Sequence, residues 1–433
     1  PFGRPHSDRG VSAWCGWQKN KKDNAMITAL RGMKDMLPAR AKLYAQIIKT
    51  CEEVAKNYGY EQILTPHLEE TALFKRSVGE SSDIVGKEMY QFEDKGGNDV
   101  CLRPEGTAGV VRAFIEAKLD RANVTKRCFY HGSMFRYERP QKGRLREFHQ
   151  FGCECFGEGS VYEDASIILM VSEIFNRLNI KTTLKINSLG DESSMKSYKE
   201  KLVKFLDEND DRICEDCKRR KLLNPIRVLD CKVESCQEIY KNAPVITDSL
   251  SDEAQADFAK LQEILTANGV KFEIDTKLVR GLDYYCKTAF EFISNEIGSQ
   301  SAVAGGGRYD RLVEYLGGRA SYGVGFAMGV ERIMEILGEA GDERAGIYLC
   351  ALDASNLDFV YALGSKLRKK YQVEISYEAK KLQKHLQNAD NKNAKIFLCV
   401  GENEMKENKI WYKNLETKDE KTINLDELEK ELG

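Results

Sequence analysis

The chain has 433 residues, 42% of them hydrophobic and 31% charged, with a formal net charge of -2 at pH 7. That size predicts two or three domains and that balance a soluble globular protein; the near-neutral charge excludes binding of polyanions by bulk attraction, so any nucleic-acid contact has to come from local patches. No apolar run approaches the ~18 residues that span a bilayer, so no membrane partner is expected.

Thirteen cysteines are scattered along the chain, which predicts reduced thiols in a cytoplasmic protein and not a disulfide scaffold. None of the five histidines pairs with another at metal-ligand spacing, and no metal site is expected from them. Residues 1–25 carry two of the three tryptophans and no helical or strand period, and they read as a disordered or added leader.

From Pro38 the apolar positions Leu43, Ile47, Cys51, Val54 and Tyr58 recur at helical spacing, and Gly59 stops the helix. Residues 60–65 are extended up to Pro66, which suits an edge or interface strand. Residues 88–93 and 100–103 read as two strands around the turn-rich DKGGND, and a helix follows Pro104 over 107–118. Residues 126–137 and 147–155 alternate as two more strands.

Between those strands lies the segment 135–154, FRYERPQKGRLREFHQFGCE. It holds Arg136, Arg139, Lys142, Arg144 and Arg146, interrupted by apolar residues, and then Phe148, His149, Gln150 and Glu154. A packed strand does not tolerate so many unpaired cations, and a solvated charge run lacks the apolar beat. A hairpin lining a pocket for an anion fits both, since arginine suits bidentate phosphate or carboxylate recognition.

Residues 192–270 turn helical and Lys/Glu-rich, with no glycine between Gly190 and Gly269, and are expected to form a helical insertion. Cys214-x2-Cys217 and Cys231-x4-Cys236 lie within it. The irregular second spacing favours free thiols on helices over structural zinc. Strands are expected at 271–275 and 288–293. The glycine-rich AGGGRYD (304–310) lacks the Lys-Ser/Thr of a phosphate loop and reads as close backbone approach near a ligand. A strand at 323–328 feeds a helix at 330–337, which places Arg332 in the first turn, where free N–H groups favour anions.

From about residue 344 strands at 347–352, 373–377 and 396–400 alternate with helices at 356–370 and 380–388, an α/β pattern. Residues 366–395 hold nine Lys/Arg against three Asp/Glu, which by itself reads as solvated helix faces. The expected domains are a leader (1–25), a core (26–191 and 271–340), the helical insertion (192–270) and a C-terminal domain (344–433).

Arg136, Arg280 and Arg332 each read alone as readily as a structural ion pair. With their neighbours they form a pattern that resembles the class II aminoacyl-tRNA synthetases. The helix, strand and proline of 43–66 resemble that class's dimer-interface motif; Phe135, Arg136, Tyr137 and Glu138 match F-R-x-E, and Gly329, Val330, Glu331 and Arg332 match G-x-E-R. Within the class, LVRGLDYY (278–285), AGGGRYD, RPEGTA (103–108) and RPQKGRLREFHQFGCE are similar to the histidyl-tRNA synthetase family.

The resemblance implies an α+β class II catalytic core, an antiparallel sheet flanked by helices, with a helical insertion and a C-terminal α/β domain of anticodon-binding type. It implies a homodimer that uses ATP and Mg2+ to form histidyl-adenylate from L-histidine and then charges the 3'-terminal ribose of tRNA(His). Arg136 and Arg280 would be catalytic, facing the α-phosphate from opposite sides. Glu138 and Phe148 would hold adenine, with Arg144, Arg146 and Arg332 on the phosphates. Glu105, Gly106, Thr107, Gln150, Glu154, Tyr284 and Tyr285 would join the two catalytic arginines around histidine. Arg139 and Gln141 would face the tRNA, and the resemblance also favours tRNA contact by the 366–395 surface. Two rival readings are a catalytically silent synthetase-like regulatory subunit, of the kind that partners ATP phosphoribosyltransferase, and a tRNA-binding module without ligase activity. The three intact arginines and the segment after the core oppose the first.

Overall fold

A computed structural model of the chain describes residues 26–79, 82, 84–122, 124–279, 284–297, 302–338 and 343–432. The chain divides into two units, Pro1–Gly338 and Glu339–Gly433.

In the first unit, α1 (Pro38–Asn57) starts on a proline, whose missing N–H is unneeded there, and buries one stripe with Leu43, Ile47, Cys51 and Val54. Gly59, at φ +80°, ends it. Only β1 (Glu61–Gln62) of the expected 60–65 strand is regular, because Pro66 has no N–H to carry the ladder on. A small antiparallel sheet follows, β2 (Leu68–Glu70), β3 (Tyr90–Glu93) and β4 (Asp99–Leu102) in the order β2-β4-β3, with α2 (Thr71–Val78) between the first two strands. α3 (Thr107–Glu116) leads to the long hairpin of β5 (Lys126–Phe135) and β6 (Glu147–Phe156). The hairpin pairs from Lys126↔Phe156 to Phe135↔Glu147, so the basic segment begins where the ladder stops.

α4 (Val161–Arg177), capped by the Ser160 hydroxyl, runs to β7 (Thr183–Ser188). The helical insertion is α5 (Glu192–Asp207), α6 (Glu215–Leu223), α7 (Glu234–Tyr240) and α8 (Asp252–Ala267). Then come β8 (Phe272–Ile274), β9 (Cys286–Ile293), β10 (Ala302–Arg308), α9 (Leu312–Tyr315), β11 (Gly323–Gly329) and α10 (Val330–Leu337). The main sheet has eight strands in the order β1-β5-β6-β11-β10-β9-β7-β8. Its interior is antiparallel, as the hairpin pattern predicts, while the two outer pairs, β1 with β5 and β7 with β8, are parallel.

AGGGRYD is a central strand, and the close approach it permits is between strands. A Cβ on Gly306 would lie 2.1 Å from the Gly325 carbonyl oxygen, and one on Gly307 2.3 Å from that of Thr288. Arg308 ends this strand fully buried, with its guanidinium on Asp164 and on the backbone oxygens of Glu158 and Ser160. It locks the start of α4 to the sheet.

The second unit alternates β12 (Ile347–Ala351), α11 (Leu357–Leu367), β13 (Val373–Ile375), α12 (Leu382–Asn391) and β14 (Ile396–Val400), then adds α13 (Glu402–Lys406), β15 (Lys409–Asn414), β16 (Glu420–Asn424) and α14 (Leu428–Glu431). The sheet order is β13-β12-β14-β15-β16, with the first three parallel and the last two an antiparallel extension. No element was expected beyond β14, where Ile410, Trp411 and Tyr412 of β15 form an apolar run of three in an otherwise polar tail.

Candidate functional site

Two groups of side chains lie along the β5–β6 hairpin, one around the loop that joins its strands and one around Glu154, which pairs with Cys128 toward the other end of the ladder. The first is cationic. Beyond Phe135 the two chains stay joined by one bond, Arg136 N–H to the Arg146 carbonyl at 2.9 Å, and the loop reverses through Gln141–Arg144, with Gly143 at φ +69°. The reversal folds Arg144 back on Glu138 at 2.7 Å, while Arg136 stands 3.8 Å from the other carboxylate oxygen. Arg136 is fixed by donating Nε–H to the Pro104 carbonyl at 2.8 Å.

Arg332 approaches from the first turn of α10 and donates to the Ala302 carbonyl. Burial, and then the neighbouring positive charge of Arg144, lower its guanidinium pKa to about 10. It stays charged at neutral pH, but its position is electrostatically costly. Arg136 and Arg144 thus share one carboxylate, Glu138, and Arg332 lies in the field of Glu138 and Glu291 as well as of the two arginines. The adjacent Glu331 anchors α10 to β6: its carboxylate accepts the His149 backbone N–H at 2.8 Å and pairs with the His149 ring at 2.7 Å.

Two residues expected on phosphate or base have partners within the protein. Arg146 lays its guanidinium 3.6 Å from the centre of the Tyr137 ring and donates to the Glu138 backbone oxygen at 3.2 Å, so it braces the loop. The Phe148 ring carries the Arg136 guanidinium at 5.2 Å. Arg139 and Gln141 are exposed at the loop tip. Arg280 lies outside the described residues.

The second group surrounds a buried carboxylate, Glu154. It accepts from the Thr107 hydroxyl at 2.7 Å, from the Tyr130 hydroxyl at 3.3 Å and from the Tyr309 hydroxyl. Burial raises its pKa to about 8, against the stabilising bonds from Tyr309 and Thr107. Glu105, also buried, accepts the backbone N–H groups of Thr107 at 2.6 Å and Ala108 at 2.9 Å. It therefore serves the N-terminus of α3, while each of its oxygens keeps a second lone pair. Burial raises its pKa too, opposed by those bonds and by Arg136.

Tyr284 and Tyr285 pack together at 4.7 Å between ring centres, and Tyr309 meets Tyr284 edge-on at 5.6 Å. The Tyr284 hydroxyl and Gln150 Oε1 are buried without a hydrogen-bond partner among the described residues. Such atoms are costly unless a ligand completes them.

Glycines make the room. A Cβ on Gly325 would fall 1.8 Å from Glu154 Oε2, and one on Gly106 2.1 Å from the Tyr130 ring. Two contributors escaped the sequence reading. Tyr309 stands inside the quoted AGGGRYD, where the glycines drew attention away from it. Tyr130 is one aromatic in an alternating strand, and nothing local marks it.

The four insertion cysteines correct an expectation. Helical placement holds only for Cys217 and Cys236; Cys214 caps α6 and Cys231 follows a short turn of 3-10 helix. Their sulfurs all lie within 4.8 Å of one another. The irregular spacing hid this because the turn at 225–230 folds the second pair back onto the first.

The basic surface of the second unit is partly neutralised. Lys366 and Lys370 both bridge Glu429, Lys392 bridges Glu374, and Lys395 bridges Glu416. Two of those three carboxylates lie outside 366–395, which a count over that window misses.

The histidyl-tRNA synthetase family profile matches residues 32–333, and the anticodon binding domain profile matches 347–433. The chain is 98% identical over 408 residues to the histidine–tRNA ligase of Campylobacter concisus, covering 94% of this chain and 100% of that protein. It is 68% identical to that of Campylobacter hominis, with the same two coverages. Among solved structures, apo histidyl-tRNA synthetase of S. aureus superposes with a TM-score of 0.79 at 35% identity, covering 93% of this chain and 98% of that one.

Proposed function

The chain belongs to the histidyl-tRNA synthetase family, and from that premise we propose how its two residue groups divide the work. The reaction is histidine–tRNA ligation: ATP and L-histidine give histidyl-adenylate and pyrophosphate, and the histidyl group then passes to tRNA.

The observation that carries the residue assignment is the pairing of an under-neutralised arginine cluster with a buried pocket that has two unpartnered polar atoms. The histidine carboxylate and the α-phosphate repel each other, and cations must offset both that approach and the charge that develops at phosphorus. Arg136, fixed by Pro104, would hold the α-phosphate, with Arg280 opposite. Arg144 and Arg332 would take the β- and γ-phosphates, which relieves their mutual repulsion. Arg146 would brace the loop that presents them. Glu138 would accept from the adenine amine, and Phe148 would stack on the base.

In the other group, Gln150 Oε1, Thr107 and the spare lone pairs of Glu105 would accept from the histidine ammonium. Glu154, Tyr284 and Tyr285 would surround the imidazole, and Gly106 leaves the space. Tyr130 and Tyr309 would position Glu154. A pocket built on hydrogen bonds rejects isosteres that lack them by about 10⁴–10⁵. Mg2+ would enter with ATP, its oxygen shell filled chiefly by phosphate and water, and no protein ligand is assigned to it.

Arg139 and Gln141, exposed at the loop tip, would meet the tRNA acceptor end, and the second unit would bind the anticodon region. Reduced thiols and the absence of a membrane-length apolar helix among the described residues support a cytoplasmic setting.

Histidine-dependent ATP–pyrophosphate exchange tests the assignment. Arg280→Ala should slow exchange by about 10²–10³ with histidine binding largely kept. Near-normal exchange by that variant would remove Arg280 from the mechanism, and an inactive, folded wild-type chain would remove the proposed roles altogether.

A further inference from the structure

The four cysteines of the insertion are unused by the reaction, yet among the described residues they form a group whose ligand atoms could hold a metal ion. Cys217 and Cys236 are fully buried and Cys231 is 4% exposed. All four sulfurs lie within 4.8 Å of one another, and those of Cys214 and Cys231 are 3.8 Å apart. A tetrahedral zinc site with Zn–S of ~2.3 Å separates its sulfurs by about 3.8 Å. A disulfide needs ~2.05 Å between just two sulfurs, so it explains neither the distance nor the convergence of both pairs on one point.

Backbone N–H groups are aimed at the sulfurs. Cys214 N–H donates to Cys236 Sγ at 3.2 Å, and Val233 N–H to Cys231 Sγ at 3.4 Å. Such donors favour thiolate over thiol. The Tyr240 hydroxyl is buried beside Cys217.

We propose that Cys214, Cys217, Cys231 and Cys236 bind one zinc ion in a closed structural site. The thiols that are protonated before binding release their protons to water, and the four thiolates leave the site with a charge of two minus. Lys218, Arg227 and Lys232 flank the ligands along the chain. With four protein ligands no position is left for substrate, so the ion is structural and not catalytic. It would tie α6, α7 and the turn between them into one core with Leu202, Val228 and Tyr240. That core reaches Ala289 and Tyr285, beside the amino-acid pocket.

The test is elemental analysis of the untagged full-length chain, purified without chelator. About one zinc per chain is expected. Titration with a mercurial should release that zinc as the four thiols are capped. The double variant Cys231→Ser/Cys236→Ser should lose the metal and melt at a lower temperature, while Cys101→Ser, a buried thiol elsewhere, should keep it. If the double variant does not fold, the wild-type metal content and mercurial release decide alone. Four metal-free reduced thiols, one equivalent of iron, or disulfides found by intact mass after alkylation would each overturn the proposal.

Discussion

At the scale of the residue, Glu154 concentrates the tension in this molecule. A carboxyl kept from water prefers its proton, and three hydroxyl donors offset only part of that preference. Unfolded, the group ionises near its ordinary value of 4.5; folded, it holds its proton to about 8. The native state therefore binds more protons between those values. The associated stabilisation is full below 4.5, falls as pH rises, and is gone above about 8. An amide cannot ionise, so Glu154→Gln should gain on the wild type as pH rises. Melting temperatures of both proteins at pH 5, 7 and 9, without histidine, measure this. A gap that does not move with pH would mean that Glu154 titrates normally. If Glu154 meets the imidazole, the same variant should also raise the KM for histidine, by about two- to tenfold for one lost hydrogen bond.

At the scale of the element, β11 is built around that carboxylate. Gly325 pairs with Glu154 across the β11–β6 ladder, and a side chain there would occupy the space of Oε2. Gly325→Ala should cost about 1–3 kcal/mol and weaken histidine binding more than ATP binding. Thermal unfolding together with calorimetry of each ligand checks this. Unchanged histidine affinity would show that Glu154 can move aside without consequence.

Other elements were legible in full. The helix expected at 330–337 is α10, Val330–Leu337, and α1 starts at the proline that announced it. The hairpin 126–156 was legible from alternation, and its basic segment from residue types. AGGGRYD did not read as a strand, because glycine carries no strand preference and only the neighbouring backbones require it. Of the pocket, the motifs supplied Glu105, Thr107, Gln150, Glu154 and Tyr284. They could not supply Tyr130, which reaches Glu154 only because β5 and β6 are in that register.

At the scale of the whole molecule, the 43–66 segment resembling the class II dimer interface leaves Leu64 77% exposed in the single chain. An apolar side chain left in solvent within such a segment suits a subunit contact, and from it and the resemblance we infer a homodimer. Sedimentation at micromolar concentration should give a dimer, and Leu64→Glu should shift it toward monomer. A monomeric wild type would end that inference.

The sequence by itself determined the family and the fold class, because catalysis requires particular functional groups and these stand in short, specific runs. The basic segment 135–154 was legible in this way as a site for an anion. Only the tertiary structure decided which of its cations share one carboxylate, that Arg146 turns instead to Tyr137, and that four cysteines at irregular spacing converge on one point. Those are distances between segments remote in the chain, set by sheet register and by a turn, and no local pattern encodes them.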